Sequence, residues 1–137
     1  MAAFVANQPR KRGNLTGGSP KTIIVVDDGL YTATGSAEFG VIGDIDYLEA
    51  DICISTFDAG AGAVLCLEGY NPASGLWETL ISTGVIGTAI SCSVNMGPAT
   101  PNVTNNSANR LVRERMRVSV KHSDTKCIEY SITLHSS

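Results

Sequence analysis

Apolar and polar residues alternate along much of this chain with a period of two, the mark of strands that bury one face. Near the C-terminal end, Met116, Val118 and Val120 alternate with Arg117, Ser119 and Lys121. After a polar break at residues 122–126, Ile128, Tyr130, Ile132 and Leu134 alternate with Glu129, Ser131 and Thr133. Two such runs around a short polar break predict an antiparallel hairpin with one apolar face. The same alternation sets Leu48, Ala50, Ile52 and Ile54 against Glu49, Asp51, Cys53 and Ser55. That segment is expected to be a half-buried strand.

The remaining elements follow from turn chemistry. Residues 22–26 are rich in β-branched side chains, and 30–34 resume a strand pattern. Asp27-Asp28-Gly29 lies between them, and Asp-Gly in that position predicts a hairpin turn. Residues 35–43 are expected to be a loop or a short strand. The runs 64–69 and 76–81 flank Tyr-Asn-Pro-Ala-Ser-Gly. Pro72 fixes φ for a turn there and Gly75 supplies the positive φ that closes it. Trp77, the lone tryptophan, falls on the return arm and is expected in the core. Residues 84–94 suggest one more strand anchored by Ile86, Ile90 and Val94, and 95–109 form a long surface loop rich in Asn, Pro, Thr and Gly. Long loops in compact domains are often contact loops, which makes Asn102, Asn105 and Asn106 candidate contact residues.

These elements give seven or eight short strands with a turn signal every ten residues or so, the pattern of an all-β chain folded as a β-sandwich or jelly roll. At 137 residues it forms one domain by size. Residues 22–137 are assigned to the sandwich and 1–21 to an extended basic arm. Pro9, Gly13, Gly17, Gly18 and Pro20 break regular structure in the arm, and Phe4 and Val5 form an apolar pair near its start.

Charge sharpens this division. Residues 1–21 carry Arg10, Lys11, Arg12 and Lys21 and no acid; residues 22–109 carry ten carboxylates and no Lys or Arg; residues 110–137 carry six basic and three acidic side chains. One consequence is that basic C-terminal strands pair with acidic strands in a common sheet, where opposite charges on facing positions are favourable. The alternative reading is that the basic arm, through Phe4, Val5, Arg10, Lys11 and Arg12, grips an acidic surface of another subunit or of a larger assembly. A single Arg-Lys-Arg cluster without interleaved aromatics is a weak phosphate footprint, so no nucleic-acid partner is assigned. The basic residues follow the short apolar patch at the N-terminus and do not precede a long one, which is not the order of a signal peptide. The uncharged span 79–109 is too polar for lipid, so no membrane partner is expected.

Candidate chemistry is sparse. Cys53, Cys66, Cys92 and Cys127 form no Cys-x-x-Cys pair and are expected to be buried free thiols. His122 and His135 are the only histidines, and no Gly-x-Ser-x-Gly elbow accompanies them. The pairs Asp44/Asp46 and Glu49/Asp51 each share one face of a strand, as two carboxylates of a glycosidase would, but a solvated strand face has the same spacing. No catalytic residue, cofactor or metal is assigned. Three Asn-x-Ser/Thr sequons, at Asn14, Asn102 and Asn105, are attributed to chance.

Three segments resemble a family of small structural proteins of tailed bacteriophages. They are Leu67-Glu-Gly-Tyr-Asn-Pro-Ala-Ser-Gly-Leu-Trp77, Ile86-Gly-Thr-Ala-Ile90, and Met116-Arg-Val-Ser-Val-Lys-His122 with Ile128-Glu-Tyr-Ser-Ile132. The family's turn Asp is Asn71 here, and the Trp that opens its penultimate strand is Met116. The resemblance spans about residues 45–134 and leaves the arm unmatched. It implies a β-sandwich and a virion role. The expectation is a capsid decoration (cement) protein, a homotrimer bound to the major capsid protein, with the arm tying neighbouring capsomers. The alternatives are a tail tube, terminator or minor tail protein, with residues 95–109 as a stacking loop, and a carbohydrate-binding jelly roll that uses an exposed Trp77 or Tyr70 beside Asn71.

Overall fold

A computed structural model describes residues 11–17, 20–58, 60–124 and 126–137. They form an all-β sandwich of two five-stranded sheets. In chain order the strands are β1 (Lys11–Thr16), β2 (Lys21–Tyr31), β3 (Gly35–Ile42), β4 (Leu48–Phe57), β5 (Ala63–Asn71), β6 (Leu76–Ser82), β7 (Ser91–Gly97), β8 (Ser107–Asn109), β9 (Arg115–His122) and β10 (Ile128–Ser136). One sheet has the order β1-β3-β9-β5-β6 and the other β2-β10-β4-β7-β8. The inner faces meet in a continuous core that includes Phe39, Leu65, Leu67, Met116 and Val118 from the first sheet, and Leu48, Ile52, Val94, Tyr130, Ile132 and Leu134 from the second.

The chain changes sheet at seven of its nine connections, and β5–β6 is the one antiparallel pair of consecutive strands among the described residues. That pair is the expected hairpin. Gly75 has φ 72°, and its N–H donates to the Asn71 carbonyl at 2.8 Å. The Asn71 side chain accepts from the Ala73 N–H at 3.0 Å, an Asx turn that holds Pro72 in place. The alternation expected for β4 also holds: Leu48, Ala50, Ile52 and Ile54 are all buried.

Three expectations are corrected. The C-terminal strands are not a hairpin. β9 lies between β3 and β5 in one sheet and β10 between β2 and β4 in the other, so they belong to opposite sheets. Alternation specifies which side chains turn inward and is silent on the strand's partner. Asp27-Asp28-Gly29 is not a turn. β2 runs through it, and the ladder with β10 slips there, with Gly29 opposite Tyr130 but Val26 opposite Ile132. An extra residue bulges out at the acidic pair, and a second slip follows between Val26 and Ile24, which is how the adjacent Val25 and Val26 both become buried. Finally, residues 1–21 are not an arm throughout. Lys11–Thr16 pairs in parallel with β3, and Leu15 is completely buried in the core. Phe4, Val5 and Arg10 lie outside the described residues.

Candidate functional site

The predicted contact elements fall on opposite edges of the sandwich. β1, which begins with Lys11 and Arg12, is the outer strand of the first sheet on the side where β2 borders the second. The loop with Asn102, Asn105 and Asn106 lies at the other edge, where β6 meets β7 and β8. It is ordered by its own hydrogen bonds. The Asn102 side chain accepts from the Asn109 N–H at 2.8 Å, so that residue braces the loop. Asn105 sits at φ 60°, a left-handed conformation that Asn tolerates. The Asn106 carbonyl accepts from the Asn95 N–H at 2.9 Å. The side chains of all three are exposed.

Asn105 and Asn106 line a groove of about 470 Å³ together with Gly84, Val85, Ile90 and Ser91. Val85 is 73% exposed and Ile90 43%. The segment expected to be a strand at residues 84–94 therefore divides. Ile86 is buried and bridges Ala63, Val94 is buried in β7, and Val85 and Ile90 point outward. The groove carries apolar side chains and neutral amides, and no charged residue lines it.

The outer face of the first sheet is built differently. Trp77 is not in the core; it pairs with Tyr70 across the β5–β6 ladder and is half-buried on the outer face. The two rings meet edge to face at 5.3 Å and 64°. The Arg115 guanidinium lies 4.2 Å from the Tyr70 ring centre, and that of Arg117 4.5 Å from Trp77. Steeply inclined rings, each with a guanidinium beside it, leave no flat two-ring platform for a sugar. Each arginine is also held by a carboxylate. Arg117 Nε donates to Glu68 at 2.8 Å, Arg115 pairs with Glu38 at 2.7 Å, and Arg113 pairs with Glu78 at 2.6 Å and donates to the Gly69 carbonyl. Arg113 holds the Glu78 carboxyl below the usual range. Gly69 gives the Arg113 side chain room at this crossing, since a Cβ there would lie 2.7 Å from Arg113 Cδ and make that side chain shift. Basic β9 thus lies between acidic positions of β3 and β5, as the segregation of charge predicts.

On the outer face of the second sheet, β4 and β10 bring Glu49, Asp51 and His135 together. His135 Nε2 lies 2.8 Å from Asp51 Oδ2, and its Nδ1 lies 3.0 Å from the Thr22 hydroxyl. The Tyr47 hydroxyl donates to Glu49 at 2.8 Å. Burial and this bond to Glu49 push the Tyr47 pKa up to about 12. Burial and the neighbouring Glu49 raise that of Asp51, against a smaller lowering by His135. The sequence shows the Glu49/Asp51 pair but not His135, which is 84 residues from Asp51 in the chain and reaches it only through the β4–β10 register. A hydroxyl–imidazole–carboxylate chain resembles a nucleophilic triad, but a triad also needs oxyanion donors and a cleft. Thr22 is exposed on a sheet face, and the concave regions at Glu38–Ile42, at Thr83–Ser93 and beside Tyr70 lie elsewhere.

The cysteines depart from the sequence reading in one respect. All four are free thiols, but only Cys66 is buried, Cys92 and Cys127 are partly so, and Cys53 is exposed on β4 opposite Ser131 and Ser91. Burial raises the pKa of Cys66 and of Cys92, which keeps both protonated near neutrality. Among the described residues no helix is long and apolar enough to cross a membrane.

No protein-family model and no curated protein sequence matches the chain. Among solved structures, it is similar to the pre-peptidase C-terminal domain of a collagenase from Bacillus anthracis, with TM-score 0.46 and 10% identity over 93% of this chain and 95% of that one. It is also similar to a periplasmic inhibitor of g-type lysozyme from Aeromonas hydrophila, with TM-score 0.39 and 8% identity over 94% and 99% of the two chains. At these scores the likeness carries no functional argument.

Proposed function

We propose that this protein is a non-enzymatic structural component of a bacteriophage particle, a decoration protein that binds the assembled head shell. The observation that supports this reading is that β1 and the asparagine loop, taken as the two contact elements, lie at opposite edges of the sandwich. A protein that ties neighbouring subunits together needs two separated contacts, and modest affinity at each suffices when both engage. The basic residues Arg10, Lys11 and Arg12 serve one edge, and the groove of Val85, Ile90, Asn105 and Asn106 serves the other. The described arginines 113, 115 and 117 hold carboxylates of the same chain, which supports assigning recognition to other residues. The partner is the major capsid protein, and the working form is a homotrimer in the virion. By binding the assembled shell in preference to free subunits, the protein stabilises it by mass action.

The test is binding of the full chain and of a variant lacking residues 1–10 to purified shells. The variant should lose binding while it melts at the same temperature as the full chain. Normal occupancy on shells would overturn the role of the N-terminal residues. Localisation of the labelled protein to tails would replace the head assignment with a tail one.

A further inference from the structure

We propose that Glu49, Asp51 and His135 form a binding site for a divalent transition-metal ion of the zinc class on the outer face of the second sheet. One ligand atom from each residue can be chosen so that all lie within 4.8 Å of one another. Around a zinc ion with ligand bonds near 2.1 Å, tetrahedral ligand atoms stand about 3.4 Å apart, so small side-chain adjustments bring the three into place. Period-two geometry puts Glu49 and Asp51 on one face of β4, and the ladder sets His135 directly opposite Glu49 on the neighbouring interior strand β10. Both strands are paired on both sides, which makes the platform rigid.

The supporting groups outside the triad have the chemistry that metal ligands require. A metal-bound imidazole donates its second N–H to a fixed acceptor, which sets the tautomer and the ring plane. Thr22 Oγ1 stands 3.0 Å from His135 Nδ1 and fills that role when Nε2 takes the metal. Tyr47 fixes Glu49 by donating to Oε1, and leaves Oε2 for the ion. The two carboxylates repel each other at this range, and half-burial makes the repulsion stronger than it would be in water. A dication at the centre removes that cost. One imidazole with two carboxylates favours zinc, cobalt or nickel over calcium and magnesium, which take oxygen ligands alone. All three residues are partly exposed, so a fourth position remains open to water or to an oxygen or nitrogen donor from another molecule.

Titration calorimetry of the full chain with ZnCl2 and with NiCl2 tests the assignment. One ion should bind per chain and raise the melting temperature. His135→Ala and the double variant Glu49→Gln/Asp51→Asn should each weaken binding about 100-fold or more, while Thr22→Val and Tyr47→Phe weaken it about 10-fold, as loss of a supporting group does. Cys53→Ser should leave affinity unchanged, which separates this site from the exposed thiol. No binding at millimolar metal, or binding that survives both ligand variants, would overturn the proposal.

Discussion

At the scale of single residues, His122 is the side chain most exposed to a change of pH. Its Nε2 lies 3.0 Å from the Tyr130 hydroxyl, and its Nδ1 is buried with no hydrogen-bond partner. Burial lowers its pKa, and Asp124 opposes the shift only in part. Its folded pKa therefore lies below the unfolded value of about 6.5. Between the two values the unfolded chain binds more protons, so stability is full above pH 6.5 or so and falls as the pH drops toward the folded pKa. Melting temperatures from pH 8 to pH 5 should fall more steeply for the native protein than for His122→Asn. Asp51 acts in the opposite sense, because its raised pKa makes ionisation costly to the fold as the pH rises, but it is common to both proteins and cancels in the comparison. Equal slopes would show that His122 titrates as freely in the fold as out of it. None of this is visible in the sequence, where His122 belongs to a polar break. Its burial comes from Tyr130, a residue on the other sheet.

At the scale of elements, β9 is the seam of the first sheet, and its arginines differ in what they hold. Glu68 is 4% exposed, accepts from Arg117 and Thr79, and lies directly opposite Arg117 in the β5–β9 register. Arg117→Ala strands that carboxylate and should cost about 3 kcal/mol, measured by chemical denaturation. Arg115 and Glu38 pair diagonally at the surface, with the arginine side chain 51% exposed. Arg115→Ala should cost about 1 kcal/mol or less. Equal losses would mean that Glu68 is not shielded as the packing implies. The attraction between basic and acidic segments was legible, since residues 110–137 hold the cations that 22–109 lack. Which carboxylate each arginine meets was not, because that depends on strand order. Trp77 was misplaced for a related reason. A strand's inward parity is set by its ladder, and Tyr70, opposite Trp77, already faces outward.

At the scale of the whole molecule, the body reaches back beyond residue 22 to include β1, Lys11–Thr16. Two truncations measure this. Removal of residues 1–10 leaves β1 intact and should leave the unfolding free energy unchanged within about 0.5 kcal/mol. Removal of residues 1–20 deletes β1 and the fully buried Leu15, and should cost at least the 2–5 kcal/mol typical of losing one large core side chain. If both variants melt alike, β1 adds nothing to the body, which then begins at residue 22.

Local sequence pattern was enough to specify β4, β9 and β10 with their inward faces and the β5–β6 turn. Period-two alternation in β4, β9 and β10 and the turn chemistry at Pro72 and Gly75 are local, and each acts within a few residues. It also determined that the body is a β-sandwich, because short strands with one apolar face must bury it against a second sheet. The tertiary structure alone decided who pairs with whom. A side chain's parity fixes its face, but nothing in a strand's own residues fixes its neighbour, so β9 and β10 separated into different sheets and β2 ran on through Asp-Asp-Gly. The same long-range pairing set His135 beside Asp51 and drew the 84–90 segment and the asparagine loop into one groove. Sites made from residues far apart in the chain exist only once the register between strands has formed.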